Sequence, residues 1–142
     1  MRTEIVFTHE PLVAPPLRLE SREVGACVEF QGIVREMEQG KALSGLAYEA
    51  HEPMARRHLE RIFGELAAAH PVEAVLFMHR LGWVPVGEAS MFVRVLAAHR
   101  GEALAFCGAA IDRMKRDVPI WKRADLPADF TRQGGSAAAN SG

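Results

Sequence analysis

Cysteine and tyrosine are scarce in this chain of 142 residues, which has two of the first and one of the second. Cys27 and Cys107 stand far apart in apolar runs, and no Cys-x-x-Cys occurs. That excludes a zinc knuckle and a thioredoxin-type dithiol, and leaves two small core hydrophobes. The six histidines show no metal-ligand spacing, so no bound metal is expected. Neither Gly-x-Gly-x-x-Gly nor a P-loop is present, so a nucleotide fold is unsupported and no cofactor is expected. No apolar run approaches the ~18 residues that a membrane span needs. The first residues also lack the apolar stretch behind a basic start that marks a signal peptide. Neither sign of charge dominates, with 17 Lys and Arg against 18 Asp and Glu, so no global field recruits nucleic acid or a membrane surface. These absences point to a soluble protein of the cytoplasm, in which any anion site is a local cluster.

What is present is enough for one domain. Hydrophobic residues make up 49% and charged residues 25%, the ordinary globular range. Residues 1–132 read as a single domain. Residues 133–142, small and polar, read as a disordered tail. Short strands are expected at 3–7 and 46–50, and a short helix from Pro16 to Glu23. Residues 24–35 alternate, with Ala26, Val28, Phe30, Gly32 and Val34 on one side, as in a half-buried strand. Residues 36–44 read as a mobile loop and 82–87 as a turn region. A helix opens at Pro53, with Ala55, Leu59, Ile62, Phe63 and Leu66 at helical spacing, and Pro71 stops it. Strands are expected at 72–79 and 89–98, and a second long helix at 99–117, ended by Pro119. Strands and helices mix without a regular βα repeat, so the fold class is α+β, with a mixed or antiparallel sheet and two main helices.

The second helix carries most of the chemistry. At about 100° per residue, Leu104, Cys107, Ile111 and Met114 share a stripe, and Glu102, Arg113, Arg116 and Asp117 lie opposite. Lys115 breaks the pattern, because it projects within about 20° of the line through Leu104 and Ile111. It either snorkels at a rim or is held in a pocket. His99-Arg100 opens the helix, where free N–H groups and partial positive charge attract anions; a solvated first turn is the alternative. Pro119 turns the chain, Ile120 and Trp121 can anchor it, and Lys122 can return toward Lys115. Two amines converging there suit proton transfer or attack on a carbonyl; a basic surface loop is the alternative. Arg35 ends a strand beside the 36–44 loop and suits bidentate phosphate recognition. His79-Arg80 reads as structural.

Taken in order, several stretches together resemble the molybdopterin synthase large-subunit family. They are Phe-Gln-Gly-Ile-Val-Arg at 30–35, Leu-Ala-Tyr-Glu-Ala at 46–50, Pro-Met-Ala at 53–55, His-Arg-Leu-Gly at 79–82, Gly-Glu at 87–88, Ala-His-Arg at 98–100 and Lys-Arg-Asp-Val-Pro-Ile-Trp-Lys at 115–122. The resemblance implies an α/β hammerhead fold and a central homodimer. It implies that each end takes a small ubiquitin-like sulfur carrier, which inserts a Gly-Gly thiocarboxylate tail. The substrate implied is cyclic pyranopterin monophosphate and the product the molybdopterin dithiolene. By position, Lys115 and Lys122 match the two catalytic pocket lysines. Arg35, His99 and Arg100 match the anion-binding groups, with the His-Arg pair coming from the dimer mate, and Phe30 and Met114 match pocket walls. The chain departs from the family at His51, often an aromatic there, and at Ala124-Asp125, where a glutamate commonly follows the Trp-Lys-basic triplet. The closing tryptophan and arginine are missing or altered, with Arg132 a possible substitute. The altered tail favours a second reading, a non-catalytic dimeric scaffold that binds the carrier, and the intact lysines favour the enzyme. A phosphate-ligand binding module without a partner protein is a third.

Overall fold

Alternating and helical periodicities become, in chain order, β1 (Arg2–Thr8), β2 (Ala26–Ile33), β3 (Met37–Glu38), β4 (Lys41–Ala42), β5 (Gly45–Ala50), α1 (Glu52–Ala69), β6 (Ala74–Arg80), β7 (Gly82–Pro85), β8 (Ala89–Ala97), α2 (Arg100–Asp117) and β9 (Ile120–Arg123). The structure is a computed structural model and describes residues 1–123. The tail at 133–142, Ala124-Asp125 and Arg132 lie outside the described residues.

Four strands form the main sheet in the order β1-β6-β8-β2, with β1 parallel to β6 and the other pairs antiparallel. A smaller antiparallel sheet runs β7-β5-β9, and β3 and β4 form a hairpin. This is the mixed α+β architecture expected. Both helices bury one stripe on one face of the main sheet. Phe77 of β6 and Val93 and Val95 of β8 meet Leu59, Ile62 and Phe63 of α1 and Phe106 and Ala110 of α2. The Phe63 ring bridges the layers, with centroids 6.2 Å from Phe77 and 5.9 Å from Phe106. Helix α1 starts where His51 Nδ1 accepts from the Met54 N–H at 3.4 Å, with Pro53 in the first turn. In the smaller sheet, Gly45 permits close approach of β5 and β7, since a Cβ there would strike the Val84 carbonyl oxygen and the Trp83 ring. Trp83 and Trp121 flank β5, in register with Ala47 and Glu49.

Five sequence expectations need correction. Cys27, expected in the core, is exposed on the outward side of β2. Residues 16–23 form no helix. Pro15 precedes them and Pro16 opens them, Leu17 and Leu19 are both exposed, and so short a helix without an apolar face does not sustain itself. The 36–44 loop contains the β3–β4 hairpin, turning at Gln39 and Gly40, both at positive φ (52° and 79°). The 82–87 turn region contains β7, because Trp83 and Val84 pair with β5 between the glycine punctuation. The α2 stripe is rotated from the one expected. Ala103, Phe106, Cys107, Ala110 and Met114 are buried, whereas Leu104 is 58% exposed. Lys115, on the Leu104 line, therefore interrupts no core stripe. It sits exposed on the helix edge.

Candidate functional site

The residues that end α2 and the smaller sheet build a cleft of about 320 Å³. Its floor follows from strand periodicity. Leu46 and Tyr48 on β5 point the same way as Ile120 and Lys122 on β9, with Tyr48 directly opposite Lys122. Pro119 makes this possible. Helix α2 closes with the Val118 N–H donating to the Met114 carbonyl at 3.1 Å, and Ile120 then enters β9. The last turn of α2 adds Met114 and Lys115, and Gly32, Ser90 and Met91 close the far side. Arg35 and Glu38 line the cleft from the chain leaving β2 and from β3.

Lys122 Nζ donates to Glu38 Oε1 at 3.0 Å. Burial pushes the Tyr48 phenol above its ordinary value, opposed by the Ser90 hydroxyl and the Lys122 charge, so at neutral pH it is a neutral hydroxyl. Its ring meets the His79 ring edge-on at 5.0 Å. His79 is 3% exposed, and its Nδ1 donates to the Arg80 carbonyl at 2.8 Å. That bond fixes Nδ1–H and leaves Nε2 as the acceptor.

Burial lowers the His79 imidazole from 6.5 to about 4, the bond to the Arg80 carbonyl opposing. The unfolded chain therefore takes up this proton first as pH falls. The associated stability is fully present above about pH 6.5 and is lost as pH drops toward 4. Between pH 7 and 4.5, urea unfolding is expected to show the wild type losing about 2–3 kcal/mol more than His79→Gln. Equal losses would mean that the ring titrates no differently in the folded chain.

The structure brings together Arg35, Met114, Lys115 and Lys122. Phe30, expected as a pocket wall, instead packs partly buried against the main core, on the inward side of β2, so its wall role is not met within this chain. His99 and Arg100 lie elsewhere. His99 is the N-cap of α2, its side chain 81% exposed and 3.8 Å from Glu102. The pair borders a small hollow with Gly25, Ala98 and Gly101. Lys115 lies sixteen positions after His99, about 24 Å along the helix axis. Sequence reasoning missed Glu38, Tyr48 and Ser90, and took His79 for structure alone. For His79 a signal existed: period two places it on the inward line with Val75 and Phe77, where an ionisable group is unusual.

Comparison with known proteins identifies the family. Residues 7–117 match the family model described as MoaE protein. The chain is 46% identical over 99 residues to the molybdopterin synthase catalytic subunit of Oryza sativa subsp. indica, covering 70% of this chain and 51% of the rice protein. It thus spans about half the length of the curated relatives it matches. A crystal structure of molybdopterin synthase from Staphylococcus aureus superposes with a TM-score of 0.73 at 32% identity, covering 87% of this chain and 90% of that one. A protein–protein complex of subunits 1 and 2 of molybdopterin-converting factor from Helicobacter pylori shares the fold, with a TM-score of 0.64 at 22% identity over 89% of this chain and 86% of that one.

Proposed function

Because the chain belongs to the MoaE family, we propose that it is the catalytic subunit of a molybdopterin synthase. In this reading it moves sulfur from the C-terminal thiocarboxylate of a small ubiquitin-like carrier to cyclic pyranopterin monophosphate, forming the dithiolene. The observation that carries the reading is the convergence of Lys115, Lys122 and Arg35 on one cleft. The lysines supply amines for proton transfer or attack on the carrier's acyl carbon, and Arg35 supplies a fork for an anion. The rice and staphylococcal relatives bear the molybdopterin synthase name, and the Helicobacter complex contains a second subunit. The test is incubation with thiocarboxylated carrier and cyclic pterin phosphate, followed by assay of the dithiolene. Carrier binding without product would favour the scaffold reading instead.

The length of α2 supports a shared site. Two groups about 24 Å apart on one rigid helix cannot grip one small ligand, so His99 and Arg100 serve the cleft only if a second copy supplies them. The isolated chain is expected to be a dimer by light scattering, and a heterotetramer with carrier. A fully active monomer would contradict this. Mixing Lys115→Ala with Arg100→Ala, at substrate too dilute to fill the Arg100→Ala site, is a sharper check. Random pairing leaves one intact site in each mixed dimer, so activity should return to about a quarter of wild type. No recovery after verified subunit exchange would place all the groups in one chain.

Arg100→Ala is expected to weaken substrate binding by about 1.5–3 kcal/mol, the cost of a lost charged hydrogen bond. The variant should fold normally, since Arg100 is exposed at the helix start. Unchanged affinity by calorimetry would remove Arg100 from the site.

A further inference from the structure

The cleft carries three cationic side chains, Arg35, Lys115 and Lys122, and among its described lining residues one carboxylate, that of Glu38. That carboxylate is already spent on a cation. Glu38 Oε1 lies 3.0 Å from Lys122 Nζ, with the side chains 18% and 30% exposed. A pair this far withdrawn from water attracts more strongly than an ordinary surface pair.

Glu38 reaches the lysine from a minimal support. β3 and β4 have two residues each, joined by the registers Met37 to Ala42 and Glu38 to Lys41. Gln39 holds the left-handed turn region without being glycine, which disfavours that turn. Met37, Gln39, Gly40, Lys41 and Ala42 are all exposed. Swinging this hairpin outward therefore sacrifices little burial, and the Glu38–Lys122 pair ties it to the cleft.

We infer that Glu38 is a built-in competitor for Lys122, a carboxylate that an anionic ligand must displace, and that it lowers anion affinity at this end of the cleft. The inference rests on reading the cleft as an anion-binding catalytic site. The ligand class is a phosphate or carboxylate oxygen anion, which offers Lys122 the same acceptor chemistry as Glu38. An ammonium has three donors, so geometry would allow both partners at once. Repulsion between two anions at one ammonium opposes that arrangement, and the tethered carboxylate has somewhere to go.

The experiment is titration of the full chain with inorganic phosphate at constant ionic strength, followed by NMR. It compares wild type, Glu38→Gln, Lys122→Ala and the double variant. Glutamine keeps the length and an acceptor oxygen but removes the charge. Glu38→Gln is expected to bind phosphate about three- to tenfold tighter than wild type, which is the size of one partly screened ion pair. Glu38→Ala should shift the same way. In the Lys122→Ala background the gain should disappear, since the competition has lost its object. The inference is overturned if Glu38→Gln binds no tighter, if the same gain persists without Lys122, or if no variant binds phosphate saturably. Failure of the proposed activity reads differently: tighter phosphate binding without dithiolene product retires that activity and leaves the competitor role standing.

Discussion

Replacing Lys115 by alanine is expected to cut dithiolene formation by about two orders of magnitude or more, the usual loss on removing a general acid–base group. Folding should hardly change. Lys115 is exposed on the edge of α2, on the same line as the exposed Leu104 and not inside the core stripe, so stability should stay within about 0.5 kcal/mol. Lys115→Arg should not rescue turnover, because a guanidinium stays protonated and cannot act as base or nucleophile. Lys122→Ala should impair turnover similarly or somewhat less. The comparison that decides the matter is turnover against melting temperature, with carrier in excess. Near-normal turnover in Lys115→Ala, or loss of the fold, would show that this lysine is not the chemical group.

Phe63→Ala should have the largest effect on stability. Its ring is 1% exposed and joins α1 to Phe77 on the sheet and Phe106 on α2. Truncation removes the transfer energy of the ring and leaves a cavity that three elements hold open, so about 3–5 kcal/mol is expected. Urea unfolding monitored by circular dichroism measures it. A loss below about 1 kcal/mol would mean that the two helices collapse into the space, contrary to a rigid contact among three elements.

What the sequence conveyed depended on how strongly burial imposes a period. β2 was legible because Ala26, Val28 and Phe30 face the helices while Cys27, Glu29 and Gln31 do not. α1 was legible because Leu59, Ile62 and Phe63 are large and fully buried. The phase of α2 was misread because three of its five buried positions are Ala103, Cys107 and Ala110, whose small side chains weigh little beside an exposed Leu104. β7 and β9, four residues each and bounded by glycine or proline, are too short for a period to appear. Their pairing is a tertiary event, set by β5 lying between them. Arg35, Lys115 and Lys122 were found because family-like motifs mark them. Glu38 lies in a polar stretch where a carboxylate is unremarkable, and only the folded hairpin aims it at Lys122.

The chain's two tryptophans, Trp83 and Trp121, both stand on the three-stranded sheet that floors the cleft, on strands either side of β5. The large aromatics of the main core, Phe63, Phe77 and Phe106, emit weakly beside indole. Intrinsic tryptophan emission is thus a private signal of the cleft end, while far-ultraviolet ellipticity is dominated by α1 and α2. Following both along one denaturant gradient tells whether the sheet that floors the cleft melts with the helical layer or ahead of it. If the emission moves first, inactivation precedes unfolding, and loss of activity in a stressed sample does not measure loss of the fold.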